Sequence, residues 1–285
     1  LTFYVDAKQR TYVRRISFKG NKRTHDVVLR RELRQMEGAW ASNQLIENSK
    51  IRLERLGFFK EVESETTPVP GIADQIDVEF SVEEEYSGSI GGSLGYGAYG
   101  MTLGLNYSEN NAFGTGKQVG IGINKSDWQT NYSFNYGDPY FTPEGISRGY
   151  SIFFRESDYG EYNIASYTAD SYGAGVQFGF PISDIERIGL NVNYDHTQID
   201  PGSLPASQII DFISSEGTDF EVLKTQLVWS KVTLNRGLFP TAGQSQSLAL
   251  QVTVPGSSLT YLRATYRHKY FKPLFLRVFI ASFGE

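Results

Sequence analysis

At 285 residues the chain is long enough for two domains, and 27 Lys+Arg against 32 Asp+Glu give it a net charge of −5. That balance, with no long basic run, argues against a nucleic-acid partner, whose recognition rests on a basic surface. Zero cysteines exclude disulfide scaffolds, thiolate metal sites and cysteine nucleophiles.

The two ends are built differently. Residues 1–85 hold 14 Lys+Arg, 15 Asp+Glu and 4 glycines, whereas the remaining 200 hold 13, 17 and 25. A charged module is followed by a glycine- and aromatic-rich one. Leu1-Thr2-Phe3-Tyr4-Val5-Asp6 reads as a strand rather than a signal peptide, with no basic segment or cleavage site, so the numbering is expected to begin inside a longer protein. No stretch approaches 18 consecutive apolar residues, and no transmembrane helix is expected.

In the charged module, Tyr12–Phe18 alternates apolar and polar residues and ends at Gly20-Asn21, a strand and turn. Thr24 can cap a helix reaching Met36, with Leu29, Leu33 and Met36 on one face. Ser42 can cap a second helix carrying Leu45, Ser49, Leu53 and Leu56 on one face, ended by Gly57. Phe58 and Phe59 lead into a strand through Val62. After the turn at Pro68–Gly71, the alternation of Ile76, Val78, Phe80 and Val82 makes another. The order β-α-α-β-β describes a small α+β fold with two helices over a three-stranded sheet.

From residue 86 the period is two. Met101–Tyr107, Val119–Ile123, Tyr172–Phe180, Ile188–Tyr194 and Leu248–Val254 each set apolar residues against Gly, Ser, Asn, Gln or Thr, and eleven candidate strands result. A soluble sandwich would show Lys and Glu on its polar face. A small, charge-poor polar face fits the lumen of an antiparallel transmembrane β-barrel, with the apolar face on lipid. Tyr136, Tyr140, Phe141, Tyr159, Tyr194 and Phe239 are expected near strand ends, as an interfacial girdle. The connections 157–170 and 196–220, the latter with a helix-like insert at Ser207–Ser214, read as long outer loops. Pro181–Arg187 and Phe239–Gln244 read as short inner turns, which puts the charged module on the periplasmic side.

Catalysis finds no support: His25, His196 and His268 fall on a helix start, a loop edge and a late strand, without metal-ligand spacing. No cofactor and no metal are expected, and the chain does not read as an enzyme. Glu83-Glu84-Glu85 reads as a solvated hinge. The strand Tyr86–Gly95 is poor in bulky residues, and glycine weakens strand pairing. Its residues Ser89, Ile90, Gly91, Gly92, Ser93, Leu94 and Gly95 either leave room in the lumen or form a weak seam whose unpaired backbone templates an incoming strand.

Five blocks carry a family resemblance: Leu29–Trp40, Arg52–Phe59, Asn110–Gly116, Asp138–Thr142 and Asn235–Thr241. In this order they resemble the BamA family, central subunits of the bacterial β-barrel assembly machinery, over nearly the whole chain. The resemblance implies three segments: residues 1–6 closing a preceding POTRA (polypeptide-transport-associated) domain, a POTRA domain at 7–85, and the N-terminal part of a barrel at 86–285. About 11 of an expected 16 strands are present, and the Val-Arg-Gly-Phe motif and closing strand of the family are not. It implies an outer-membrane location with the POTRA domain in the periplasm, and it makes the early strand one side of a lateral gate. The lipid bilayer, unfolded outer-membrane proteins and the assembly lipoproteins become partners, with BamD at Arg30, Arg31 and Glu37. From the residues alone these three read first as a solvated helix face and its capping turn, worth little to stability. Trp40 reads as local core. Related two-partner secretion or TamA-type transporters are the nearest alternative. A passive porin and a surface-binding barrel acting through the 196–220 loop are more distant ones.

Overall fold

The computed structural model describes residues 10–97, 100–160, 166–236, 239–275 and 278–284. The strand expected at residues 1–6 lies outside them. The chain divides into two units: the first runs to Ser89 and also takes in Glu109–Gln118, and the second comprises Ile90–Ser108 and the chain from Val119.

The charged module has the expected order: β1 (Tyr12–Lys19), α1 (Asp26–Arg30), α2 (Asn43–Arg55), β2 (Phe59–Pro68) and β3 (Gln75–Glu84). The sheet order is β1-β3-β2, with β1 parallel and β2 antiparallel to the central β3. Alternation on β3 buries Val78, Phe80 and Val82, which meet Val13 and Ile16 of β1, Leu29 of α1, and Ile46 and Leu53 of α2. Burial of that many full side chains, at roughly 1.5–3 kcal/mol each, is what holds so charged a sequence together.

Four expectations here need correction. The first helix stops at Arg30 rather than Met36. The N–H groups of Arg34 and Gln35 donate to Ser49 Oγ at 2.8 and 3.2 Å instead of to carbonyls one turn back, so the helical ladder ends. Thr24 does not cap it: His25 holds the N-cap position without a side-chain bond. On α2 the buried face is Ile46, Ser49 and Leu53, spaced i, i+3, i+7, and Leu45 is exposed. Ser42 does cap α2, accepting the Leu45 N–H, and Gly57 follows it at φ +70°. Trp40 is 54% exposed, with the Arg10 guanidinium 3.9 Å over its ring.

The remaining eleven strands form one antiparallel meander in which each pairs with its neighbour in sequence. They are β4 (Gly88–Gly97), β5 (Gly100–Ala112), β6 (Lys117–Ser126), β7 (Gln129–Asp138), β8 (Ser147–Asp158), β9 (Tyr167–Pro181), β10 (Glu186–Pro201), β11 (Asp219–Val232), β12 (Gly243–Thr253), β13 (Leu262–Phe275) and β14 (Val278–Gly284). A third helix, α3 (Ser207–Glu216), sits between β10 and β11.

Side-chain parity divides the sheet as the sequence suggests. One face presents exposed Leu105, Ile121, Tyr132, Ile152, Tyr172, Leu227, Leu250 and Tyr266. A continuous apolar surface of this extent needs lipid or a partner to cover it. On the other face the glycines leave space for polar neighbours. A Cβ on Gly104 would overlap Ser93 Oγ, and one on Gly122 would stand 2.7 Å from Ser133 Oγ and 3.2 Å from Asn106 Oδ1. Asn191 Nδ2 donates to Gln226 Oε1 at 3.1 Å, and Lys224 pairs with Asp195 on this same face.

Aromatics gather at both ends of the strands. Tyr159 packs between Trp128 and Tyr167 at one end, and Tyr136 stacks on Tyr150 near the other. Tyr194 is an exception, lying in the middle of β10. His196 likewise lies within β10, paired with Asp219 at 3.1 Å, not at a loop edge. Much of each expected long loop is strand, since β9 starts at Tyr167 and β10 reaches Pro201. Among the described residues, 202–218 is the longest connection between strands of this sheet. The 233–242 turn at the opposite end is itself longer than 127–128.

Candidate functional site

Arg30 and Glu37 meet on the flank of β1. Glu37 Oε1 accepts the Ile16 N–H at 2.7 Å and Arg30 Nη1 at 3.3 Å, while Arg30 Nη2 donates to the Ile16 carbonyl at 3.0 Å. β1 spends its other side on β3, so without this pair the Ile16 amide would face outward as an open sheet edge. Next to it, Val13 exchanges backbone bonds with Gly38 and Ala39 at 2.7 and 3.0 Å. The 37–41 segment and the Arg30–Glu37 pair together finish the edge of the sheet. The Ile16 N–H is the main reason the Glu37 carboxyl titrates below the usual range, with the Arg30 charge adding to it. Both side chains remain 44% exposed, so the pair keeps donors and an acceptor for an outside partner.

Arg31 is not part of this pair. Its guanidinium stands over Gly116, where an added Cβ would overlap Nη2 and would stand 3.1 Å from Val28 Cγ1 of α1. The expected trio is thus two surfaces, Arg30 with Glu37 on one and Arg31 on the other.

The Leu29–Trp40 block has a hub that motif reading did not single out. Gln35 is fully buried; its Nε2 donates to the Met36 and Trp40 carbonyls at 3.1 and 3.0 Å, and its Oε1 accepts the Ser42 N–H at 3.0 Å. Buried amides are tolerated when so satisfied. The hub sets the 36–42 turn and, through it, Glu37.

The early strand forms as β4, shifted two residues from the expected Tyr86–Gly95. Ser89, Ile90, Gly91, Gly92, Ser93, Leu94 and Gly95 all lie in it, and all are exposed. β4 pairs with β5 and is one edge of the sheet among the described residues. Gly91 has nothing within 4 Å of an added Cβ, and Gly92 has only Leu105 at 3.9 Å. On the side of its one described neighbour, β5, Gly91 and Gly92 are therefore not forced by crowding, unlike Gly104 and Gly122 deeper in the sheet.

A last cluster lies in the first unit, where Asn111 Nδ2 donates to Thr24 Oγ1 at 2.8 Å and the His25 N–H donates to the Gly114 carbonyl at 2.9 Å. Sequence reading took Asn110–Gly116 as a motif but assigned it no contact. Among the described residues no group of three or more His, Asp or Glu side chains stands close enough to hold a metal ion.

Comparison with known proteins follows the same division. Residues 111–284 match the model of the Omp85 superfamily domain, and residues 11–85 match that of the POTRA, or surface antigen variable number repeat. The outer membrane protein assembly factor BamA of Neisseria meningitidis serogroup B is 30% identical over 282 residues, 95% of this chain and 35% of that protein. BamA of Buchnera aphidicola is 30% identical over 247 residues, covering 82% and 40%. The chain thus spans little more than a third of these relatives. The crystal structure of Haemophilus ducreyi BamA lacking POTRA domains 1–3 superposes with a TM-score of 0.78 at 31% identity, over 95% of this chain and 53% of that one. CdiB from Acinetobacter baumannii, at 13% identity and a TM-score of 0.60, shares the fold alone.

Proposed function

The chain belongs to the Omp85 superfamily, and from that membership we propose that it is the last POTRA domain and the leading barrel wall of an outer-membrane assembly factor. The protein folds and inserts β-barrel proteins into the outer membrane, with its POTRA domain in the periplasm. The observation that carries this reading is the BamA-like arrangement of a β-α-α-β-β module ahead of a lipid-faced meander, at 31% identity to the superposed BamA. A porin or adhesive barrel needs no such module.

The working part is β4. Its ten exposed, glycine-rich residues give up little side-chain packing when they separate from a neighbour, so the strand is a weak seam. An opened seam offers a row of N–H and C=O groups to the strand of an unfolded substrate. Insertion then needs neither nucleotide nor covalent chemistry, because in lipid a closed barrel is the state that satisfies every backbone group. Arg30 and Glu37 are the contact for an assembly lipoprotein of the BamD type: a guanidinium and a carboxylate side by side fix both partner and register.

The test uses the full-length parent in liposomes with a urea-unfolded barrel substrate, its folding followed by gel shift. Faster folding than in empty liposomes is expected. Unchanged folding with steady small-solute conductance would leave a channel and remove the assembly reading.

A further inference from the structure

On the outward, apolar face of the sheet, Lys231 Nζ meets Glu186 at 2.8 Å and His196 Nε2 meets Asp219 at 3.1 Å. Arg148, near the start of β8, lies on the same face and differs: among the described residues it has no ion pair, and its Nε is buried without a hydrogen-bond partner. Directly across from it on β7 is Asp138, the acid that would ordinarily take a guanidinium. Asp138 is 6% exposed and accepts the Tyr140 N–H at 3.2 Å. The Arg148 guanidinium stands instead 3.8 Å over the Phe141 ring and 5.4 Å from that of Tyr150. The turn between β7 and β8 holds Phe141 in place. The Ile146 carbonyl accepts the Phe141 N–H at 2.9 Å, and Gly145, at φ +87°, donates to the Thr142 carbonyl at 3.0 Å. Glu144, the acid of this turn, is engaged by the Thr142 hydroxyl and its own N–H.

A guanidinium laid on apolar rings with no counter-charge is costly unless something ionised completes it. Its place on the sheet says what that is. Arg148 shares its parity with Tyr150, Ile152 and Phe154, which are 37, 57 and 39% exposed, so it stands at the foot of a column of lipid-facing side chains. The strands alternate in direction from the start of β4, which puts the 139–146 turn at the periplasmic end. Tyr136 stacks on Tyr150 beside it, the kind of aromatic level at which a bilayer passes from hydrocarbon to headgroup. We propose that Arg148, held flat on Phe141 and Tyr150, binds the phosphodiester of an inner-leaflet phospholipid whose acyl chains run along Tyr150, Ile152 and Phe154. A guanidinium fork matches two phosphate oxygens at once, and the rings beneath it fix its plane before the lipid arrives. A soluble anion would gain the charge contact and leave the apolar column bare, so the lipid is the occupant. The bound lipid fixes the height of β7 and β8 in the bilayer. The site requires only that the sheet span the membrane and does not depend on β4 being the seam.

Native mass spectrometry of the full-length parent, stripped of lipid in detergent, tests the site with dioleoyl phosphatidylglycerol as the probe. The wild type is expected to retain a first lipid, and Arg148→Gln to bind it about tenfold less tightly, the loss of one charge-assisted contact. Arg148→Lys keeps the charge without the fork, and Phe141→Leu keeps the fork without its support. Each is expected to weaken binding about threefold. A gel shift on heating checks that every variant carries a folded barrel, and these two milder changes decide the matter if Arg148→Gln does not fold. Dioleoylglycerol, with the same chains and no phosphate, is expected to be retained far less, and inorganic phosphate is expected not to displace the lipid. Equal retention of phosphatidylglycerol by the wild type and the variants would overturn the proposal. So would equal retention of dioleoylglycerol, which would leave a merely apolar surface, or displacement by inorganic phosphate, which would leave a site for a soluble anion.

Discussion

Glu37 offers the sharpest test of how far the partner face is also a structural device. Glu37→Lys removes the acceptor of the Ile16 N–H on a residue only 1% exposed, which leaves a buried donor unsatisfied at a cost of about 1–3 kcal/mol. The half-exposed ion pair with Arg30 adds at most about 1 kcal/mol. A local loss near ~2 kcal/mol corresponds to exchange of the Ile16 amide about thirty times faster. Glu37→Gln keeps an amide oxygen for Ile16 and loses only the charge, so its effect stays below about fivefold. Exchange at β1 in the full-length parent reads both values. Equal, unchanged protection in the two variants would refute the claim that Glu37 finishes the sheet edge. The same pair separates partner recognition from stability. If Glu37→Gln leaves β1 intact yet abolishes stimulation of substrate folding by the other assembly subunits, the charge itself contacts the partner. If only Glu37→Lys fails, the loss is one of fold.

Ser49→Ala strips the acceptor from the Arg34 and Gln35 N–H groups and from the turn that ends α1; a loss of about 2–4 kcal/mol is expected in chemical unfolding of the POTRA domain. Gly91→Ala and Gly92→Ala fit without collision and stiffen β4 by about 0.5–1 kcal/mol each. Assisted folding of substrates should slow while the barrel's resistance to heat rises, and equal rates in wild type and variants would argue against a seam that must open. The Glu84 carboxyl is pushed up by burial but held below its usual range on balance by the Thr24 and Arg23 N–H groups. Because its folded pKa is the lower one, its stabilisation is complete above the ordinary glutamate range and is lost as pH falls through the depressed value; Glu37 behaves alike. Exchange at residues 23–25 should therefore accelerate as pH drops below about 4.5, beyond the intrinsic trend, and Glu84→Gln should flatten that dependence.

The strands were legible because their physics is local. Alternation of period two survives in Leu248–Val254 or Tyr172–Phe180 whatever lies elsewhere in the chain; the observed β12 takes in the first run as far as Thr253, and β9 the whole of the second. The order β-α-α-β-β was legible for the same reason. What misled was each place where a distant group outcompeted a local preference. Thr24 has the chemistry of an N-cap, yet Asn111, 87 residues away, takes its hydroxyl. Leu33 and Met36 continue a helical spacing, yet Ser49 of α2 captures the N–H groups that would have extended the helix. Arg30 and Arg31 look like one basic pair and are divided by contacts at positions 37 and 116.

Glycine illustrates why a site is harder to read than a fold. In sequence the glycines of β4 and those of β9 are alike, and both suit a weak strand. In the structure Gly175 is wedged between Asn193 Oδ1 and Ser151 Oγ, and Gly173 stands against Asp195 and Phe153, so each is fixed by the side chains it admits. Gly91 and Gly92 admit nothing of the kind. A glycine demanded by its neighbours costs backbone entropy but gains packing, and the strand around it stays tight. A glycine that no neighbour demands contributes only the entropy cost, and a run of them on a sheet edge lowers the work of separating that strand. Composition cannot distinguish the two kinds, whereas space at the Cβ can, and on that measure β4 differs from β9.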